Sequence, residues 1–182
     1  RQHAYPPPPD NRWGFFPGVS AGWIFGQEDF VKNAIPALSF GKLRASYGVN
    51  GNASGIGAYT LQGAYNAQTA YDGSVGFLIG TLPNPSLRWE KTTTFEVGAD
   101  LSFWQNRLNT NFTFYNRLTD DKYAALKLPQ TTGFSSVTNN NGKFRNRGVE
   151  LEVSAKIIQN RDWRWVASGN VAYNKNIIVK LP

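Results

Sequence analysis

The chain has no cysteine and no methionine, and its 182 residues include a single histidine, His3. Without cysteine there is no disulfide, no thiolate metal site and no thiol nucleophile. A lone histidine in a proline-rich start (Pro6 to Pro9) gives no Ser/Cys–His triad. No run of about 18 apolar residues occurs. That excludes a transmembrane helix but not transmembrane strands, in which only alternate residues face lipid. Dense runs of one charge are also missing. Lys and Arg total 19 against 12 Asp and Glu, a net charge of +7, but the basic residues are dispersed along the chain. Nucleic acid is therefore not an expected partner. With no Met at position 1 and no signal peptide, the chain reads as an internal segment or a processed product.

What is present is aromatic residues (14%), glycine (18 residues) and a recurring period of two. The first alternating stretch is Trp13 to Phe25, with Trp13, Phe15, Val19, Ala21, Trp23 and Phe25 on one side and mostly small residues on the other. Trp13 and Trp23 stand ten residues apart, which on a strand tilted by roughly 45° spans about 23 Å, close to the apolar band of an outer-membrane barrel. Glu28 to Lys32 reads as a short helical turn before Pro36. Further strands are expected over about 39–50, 87–104, 107–119, 146–158 and 162–174. In the third, Leu87, Trp89, Phe95, Val97, Ala99, Leu101 and Phe103 oppose Arg88, Glu90, Thr92, Thr94, Glu96, Asp100 and Ser102.

The connections alternate in length. Short or moderate ones, including turns at Gln105-Asn106 and Gln159-Asn160-Arg161, gather at one end of an up-and-down order. Long ones, 51–86 and 120–145, gather at the other, as periplasmic turns and extracellular loops do in outer-membrane barrels. Trp13, Trp89 and Tyr173 then mark the outer rim, and Trp23, Phe103 and Trp163 the periplasmic rim. The fold class is all-β: an antiparallel transmembrane β-barrel segment. Six strands cannot close in lipid without leaving edges unpaired, so the segment belongs to a larger barrel. A soluble β-sandwich serving carbohydrate binding or adhesion also alternates apolar and polar residues. Its strands are usually about five or six residues long, however, and its loops have no reason to sort by length.

Five blocks carry a family resemblance: NRWGFFPGVSAGWIF (11–25), LRASYGVNGN (43–52), NPSLRWEKTTTFEVGADLSFWQNRL (84–108), FYNRLTDD (114–121) and LPQTTGFSSVTNNNGKFRNRGVELE (128–152). In this order they resemble the SusC/RagA-type TonB-linked outer-membrane proteins of Bacteroidota. The resemblance implies a barrel of about 22 strands, of which residues 1–182 are one part, the plug and the remaining strands lying outside it. It further implies TonB coupling through an N-terminal part, a SusD-like lipoprotein lid, contact with outer-membrane lipid, and import of oligosaccharides or peptides.

No catalytic, cofactor-binding or metal-ligating residue is expected. Glu150 and Glu152, two apart on one face, read as a solvated lumen wall balanced by Lys156 and Arg164. Asp120-Asp121 and Asp72-Gly73 offer oxygen ligands without the spacing of a calcium loop. Asn139 to Gly142 reads as a turn. Substrate-binding candidates are Tyr59, Tyr65, Tyr71 and Phe77 in the 51–86 connection, whose aromatic faces suit sugar rings or peptide side chains. Arg44, Arg88, Glu90, Glu96 and Arg117 are expected to face the lumen, where they line a substrate path or hold a plug.

Overall fold

The computed structural model describes residues 13–57, 60–69 and 75–181. His3, the Pro6–Pro9 run, Tyr59, Tyr71 and Asp72-Gly73 lie outside the described residues. In chain order the elements are β1 (Gly18–Trp23), a 3-10 turn (Phe25–Gln27), α1 (Asp29–Ala34), β2 (Leu38–Asn52), β3 (Ala64–Thr69), β4 (Val75–Thr81), β5 (Glu90–Phe103), β6 (Leu108–Lys127), a 3-10 turn (Gln130–Thr132), β7 (Ser136–Gln159) and β8 (Arg164–Lys180). Six of the strands form one antiparallel sheet in the order β1-β2-β5-β6-β7-β8, and β3-β4 is a separate hairpin.

The period-two pattern becomes rows across this sheet. Ala45, Val97, Phe114, Val149 and Tyr173 are register neighbours on one face. So are Leu43, Ala99, Phe112, Leu151 and Val171. The opposite face carries the row Arg44, Gly98, Thr113, Glu150 and Ala172. Val19, Leu43, Phe95, Phe112, Val149 and Val171 are all exposed. A sandwich would bury that face against a second sheet, so the sandwich reading is corrected. A continuous apolar face on one layer of long strands is satisfied by lipid, and the polar face by a wet lumen.

The ends of the strands depart from the sequence expectation in four places. The first strand shrinks to Gly18–Trp23, because Pro17 brings no amide hydrogen to the ladder and the chain turns at Phe25–Gln27. Pro17 still accepts a bond from the Val49 amide at 2.9 Å. The 51–86 connection contains the β3-β4 hairpin. The 120–145 connection is mostly strand: β6 runs to Lys127, β7 begins at Ser136, and only 128–135 forms the tip. The Asn139–Gly142 turn is therefore also corrected, since these residues pair with Lys122, Tyr123 and Ala124 inside the β6-β7 ladder. Finally, β8 continues to Lys180.

The short-turn end follows expectation. Trp104, Gln105 and Asn106 turn the chain with positive φ of 50°, 56° and 62°. The turn is tied back where the Trp104 amide donates to Ala37 O at 2.8 Å and the Gln105 amide to Ser39 Oγ at 2.6 Å. The expected helical turn forms as α1, with Lys32 3.7 Å from Asp29.

At the other end two bulges break the β6-β7 register between Thr119 and Lys122 and between Lys122 and Tyr123. Asp121 sits there at φ 57°, a left-handed conformation that Asp tolerates better than most residues. Among the described residues, the one sizeable apolar core lies beside the bulges. Ala53, Ile56 and Leu87 are buried together, with Leu61, Trp89 and Tyr123 packed around them. Leu87 is 0% exposed.

Candidate functional site

The polar wall is organised by Arg44 on β2. Its guanidinium reaches along the sheet because Gly98 opposes it: a Cβ at position 98 would lie 2.6 Å from Arg44 Cζ. Arg44 Nη1 donates to Glu96 Oε1 at 2.7 Å, Nε lies 3.5 Å from Asp100 Oδ1, and Nη2 donates to Asn111 Oδ1 at 3.3 Å and to Thr113 Oγ1. Asn111 in turn donates to Asp100 at 2.8 Å. One cation thus ties β2, β5 and β6 on the lumen side. Arg117 lies over the Tyr115 ring, 4.9 Å from its centroid, and Tyr115 Oη donates to Asn174 Oδ1 at 3.2 Å. Glu150 and Glu152 share this wall but, among the described residues, form no ion pair with Lys156 or Arg164. Each faces a neutral partner instead, Thr113 and Asn111 respectively, across the β6-β7 ladder.

Glu90 and Arg88 leave the expected lumen path. Glu90 is only 3% exposed. It accepts from Asn52 Nδ2 at 3.0 Å, Lys122 Nζ at 3.1 Å and the Tyr123 amide at 3.0 Å. A buried carboxylate needs such a set of donors to offset its desolvation. Arg88 pairs with Asp121 at 2.7 Å, and that hydrogen bond raises its pKa.

Between them sits Asn140, which sequence reasoning misses. Its Nδ2 donates to Arg88 O at 2.9 Å and to Asp121 O at 2.7 Å, and its Oδ1 accepts from the Arg88 amide at 2.9 Å. One buried amide therefore satisfies the bulge on β6 and the entry to β5 together. The only sequence signal was the Asp120-Asp121 pair, residues that suit a bulge. Burial beside Glu90's charge pushes the Tyr123 phenol up to about 12, with desolvation the larger cause. Tyr123 Oη donates to Arg88 O at 2.7 Å, completing the clasp.

Of the four aromatic candidates, Tyr65 and Phe77 lie on β3 and β4. Tyr65 pairs with Ile79 and Ala67 with Phe77, so both aromatic rings stand on one face of the hairpin. Each is 70% exposed. Trp89, the expected rim residue, meets Phe16 edge-on at 5.7 Å between ring centroids. The Phe16 ring fills the space left by Gly51. Among the described residues no three His, Asp or Glu side chains converge to hold a metal. The arrangement offers a wall of fixed donors and acceptors, plus an exposed aromatic face on a hairpin at the long-connection end.

A family described as TonB dependent receptor-like, beta-barrel matches residues 2–180. TonB-dependent receptor P39 of Formosa agariphila is 38% identical over 173 residues, covering 94% of this chain and 16% of that protein. TonB-dependent receptor SusC of Bacteroides thetaiotaomicron is 37% identical over 180 residues, covering 94% of this chain and 18% of that protein. Among solved structures, the RagAB peptide importer in the closed-closed state superposes with a TM-score of 0.85 at 33% identity, covering 96% of this chain and 19% of that one. The chain thus spans less than a fifth of the length of these relatives.

Proposed function

The chain belongs to the TonB-dependent receptor β-barrel family of the outer membrane, and from that premise we propose that it forms part of the wall of a transporter importing oligosaccharides or peptides. The peptide arm of this reading draws on the RagAB relative, which is named a peptide importer. The observation that carries it is the sheet itself: long antiparallel strands with an exposed apolar face and a polar face knitted by Arg44, Glu96, Asp100, Asn111 and Thr113. In this reading residues 1–182 are one piece of the barrel domain, and the plug belongs to the rest of the parent protein. Energy reaches the plug through TonB, and a SusD-like lipoprotein closes over the long-connection end. Tyr65 and Phe77, with Tyr59 and Tyr71, contact substrate or lid there by stacking. The part played is passage and recognition, not catalysis.

Deletion of the parent gene, with uptake of labelled oligosaccharides and labelled peptides measured in the intact bacterium, tests this reading. Loss of uptake of one class, reproduced by disrupting TonB, is the expected result. Unchanged uptake of both classes overturns it.

A further inference from the structure

The apolar face ends abruptly toward the long connections, and the rows beyond it carry positive charge. One layer above Val97, Phe114, Val149 and Tyr173, the outward row reads Phe95, Asn116, Arg147 and Lys175. The next row is Thr93, Leu118, Arg145 and Ile177. Lys91 comes next on β5, opposite Gly51. Three strands, β5, β7 and β8, therefore place Lys91, Arg145, Arg147 and Lys175 along one edge of the greasy band. The acid on this face, Asp120, is already held by Lys143 at 2.6 Å. Among the described residues, none of those four cations has an ion-pair partner. Arg147, Lys175 and Lys91 are exposed. Arg145 is half-buried, and its Nε has no hydrogen-bond partner.

A soluble partner does not suit this position, because the exposed apolar rows begin directly beneath the cations. The ligand must carry acyl chains below and negative charge above. We infer that Arg145, Arg147 and Lys175, flanked by Lys91, bind the phosphate of a phosphorylated, multiply acylated lipid of the outer leaflet. Its chains lie over Phe114, Val149, Val171 and Tyr173. Arginine's planar fork suits phosphate oxygens, and the Lys175 stem crosses the interface while its ammonium stays in the headgroup layer. The inference rests on the outer-membrane placement and not on the transported substrate, so a failed uptake assay leaves it standing.

The test uses the full-length parent protein in phosphatidylcholine nanodiscs doped with bisphosphorylated lipid A, or with the same lipid A stripped of phosphate. Native mass spectrometry counts the lipids retained after ejection. The wild type is expected to hold phosphorylated lipid A in preference to the stripped form. The combined Arg145→Gln, Arg147→Gln and Lys175→Gln variant is expected to lose one tightly held lipid, with affinity at that position falling about a hundredfold. Lys42→Gln, on the lumen face, is expected to retain it. Equal retention of the two lipids, or wild-type retention by the triple variant, overturns the inference. Displacement of the lipid by excess inorganic phosphate overturns the lipid as occupant and leaves a free-anion site. Should the triple variant fail to insert, Arg147→Gln alone and the two-lipid comparison on wild type decide.

Discussion

The lower and upper halves of the sheet are built from the same strands but held together by different means. In the apolar band, rows such as Ala45, Val97, Phe114, Val149 and Tyr173 sit side by side on a single layer, with Val97 and Phe114 half-buried and Val149 and Tyr173 open to the surroundings. There the ladder and the surrounding lipid supply cohesion, and the lumen-side Arg44 network sets the wall's chemistry. In the crown above it, residues of the connection after β2 pack over Trp89 and Tyr123, so the chain makes its own interior. Leu87, Ile56 and Ala53 pack together, and the Glu90 and Asn140 polar sets lock β5, β6 and β7. The same fold thus draws on solvent in one half and on side-chain packing in the other.

This contrast breaks most sharply at Leu87. Leu87→Ala removes the one large side chain that is fully buried among the described residues, and is expected to cost the crown roughly 2–5 kcal/mol. Hydrogen exchange on the full-length protein in detergent should show faster exchange over 53–57 and 120–140, with the band unchanged. Uniform loss of protection would mean that the two halves do not act separately. The converse lesion is Val97→Arg in the band, expected to lower membrane insertion by at most about 2–4 kcal/mol, the cost of a lipid-facing arginine at the midplane. Insertion yield into lipid vesicles reads this, while crown protection in correctly inserted molecules should stay at the wild-type level.

The smallest effect sharpens the comparison by pH. The Tyr123 phenol is raised in the folded state to about 12 from an ordinary value of 10.0. Its contribution to crown stability is therefore fully present below pH 10. It is lost as pH rises through the interval from there to about 12, because the unfolded phenol ionises first. Tyr123→Phe should flatten that alkaline loss of crown protection. An equal loss in the variant would remove Tyr123 from the account.

The band was legible in the sequence because its periodicity is imposed directly by which face meets lipid. Phe95, Val97, Ala99, Leu101 and Phe103 alternate with polar neighbours, and the structure keeps that phase. The crown was not legible, because its apolar contacts come from the connection folded over Tyr123 and not from alternation along a strand, and composition there points the wrong way. Asn139-Asn140-Asn141-Gly142 has the make-up of a turn, yet pairing with β6 and the bonds made by Asn140 hold it as strand. Glu90 looked like a lumen group because alternation gives a residue's face but not how far the neighbouring chain covers it. Of the candidate site, the sequence located the connection but not the hairpin within it. That Tyr65 and Phe77 share a face depends on the register of β3 against β4, a long-range property. Tyr59 and Tyr71 lie outside the described residues.

The paired bulges near Asp121 carry a consequence for how this wall can change over evolutionary time. One strand gains a residue at the first break and the other gains one at the second, so the pairing beyond Tyr123 resumes in its original phase. Parity is conserved across the defect. Lys122 stands on the same side as Thr119, because their partners Gly142 and Phe144 are two residues apart, so each extra residue is absorbed where it occurs. Loss of the extra residue on β6 alone therefore leaves Tyr123 to Lys127 on their own faces, whereas loss of one residue from the regular ladder between Tyr123 and Lys127 turns the rest of that strand over. Lineages should accordingly vary the tip at 128–135 and the bulge at Asp121 long before they vary the paired stretch between them.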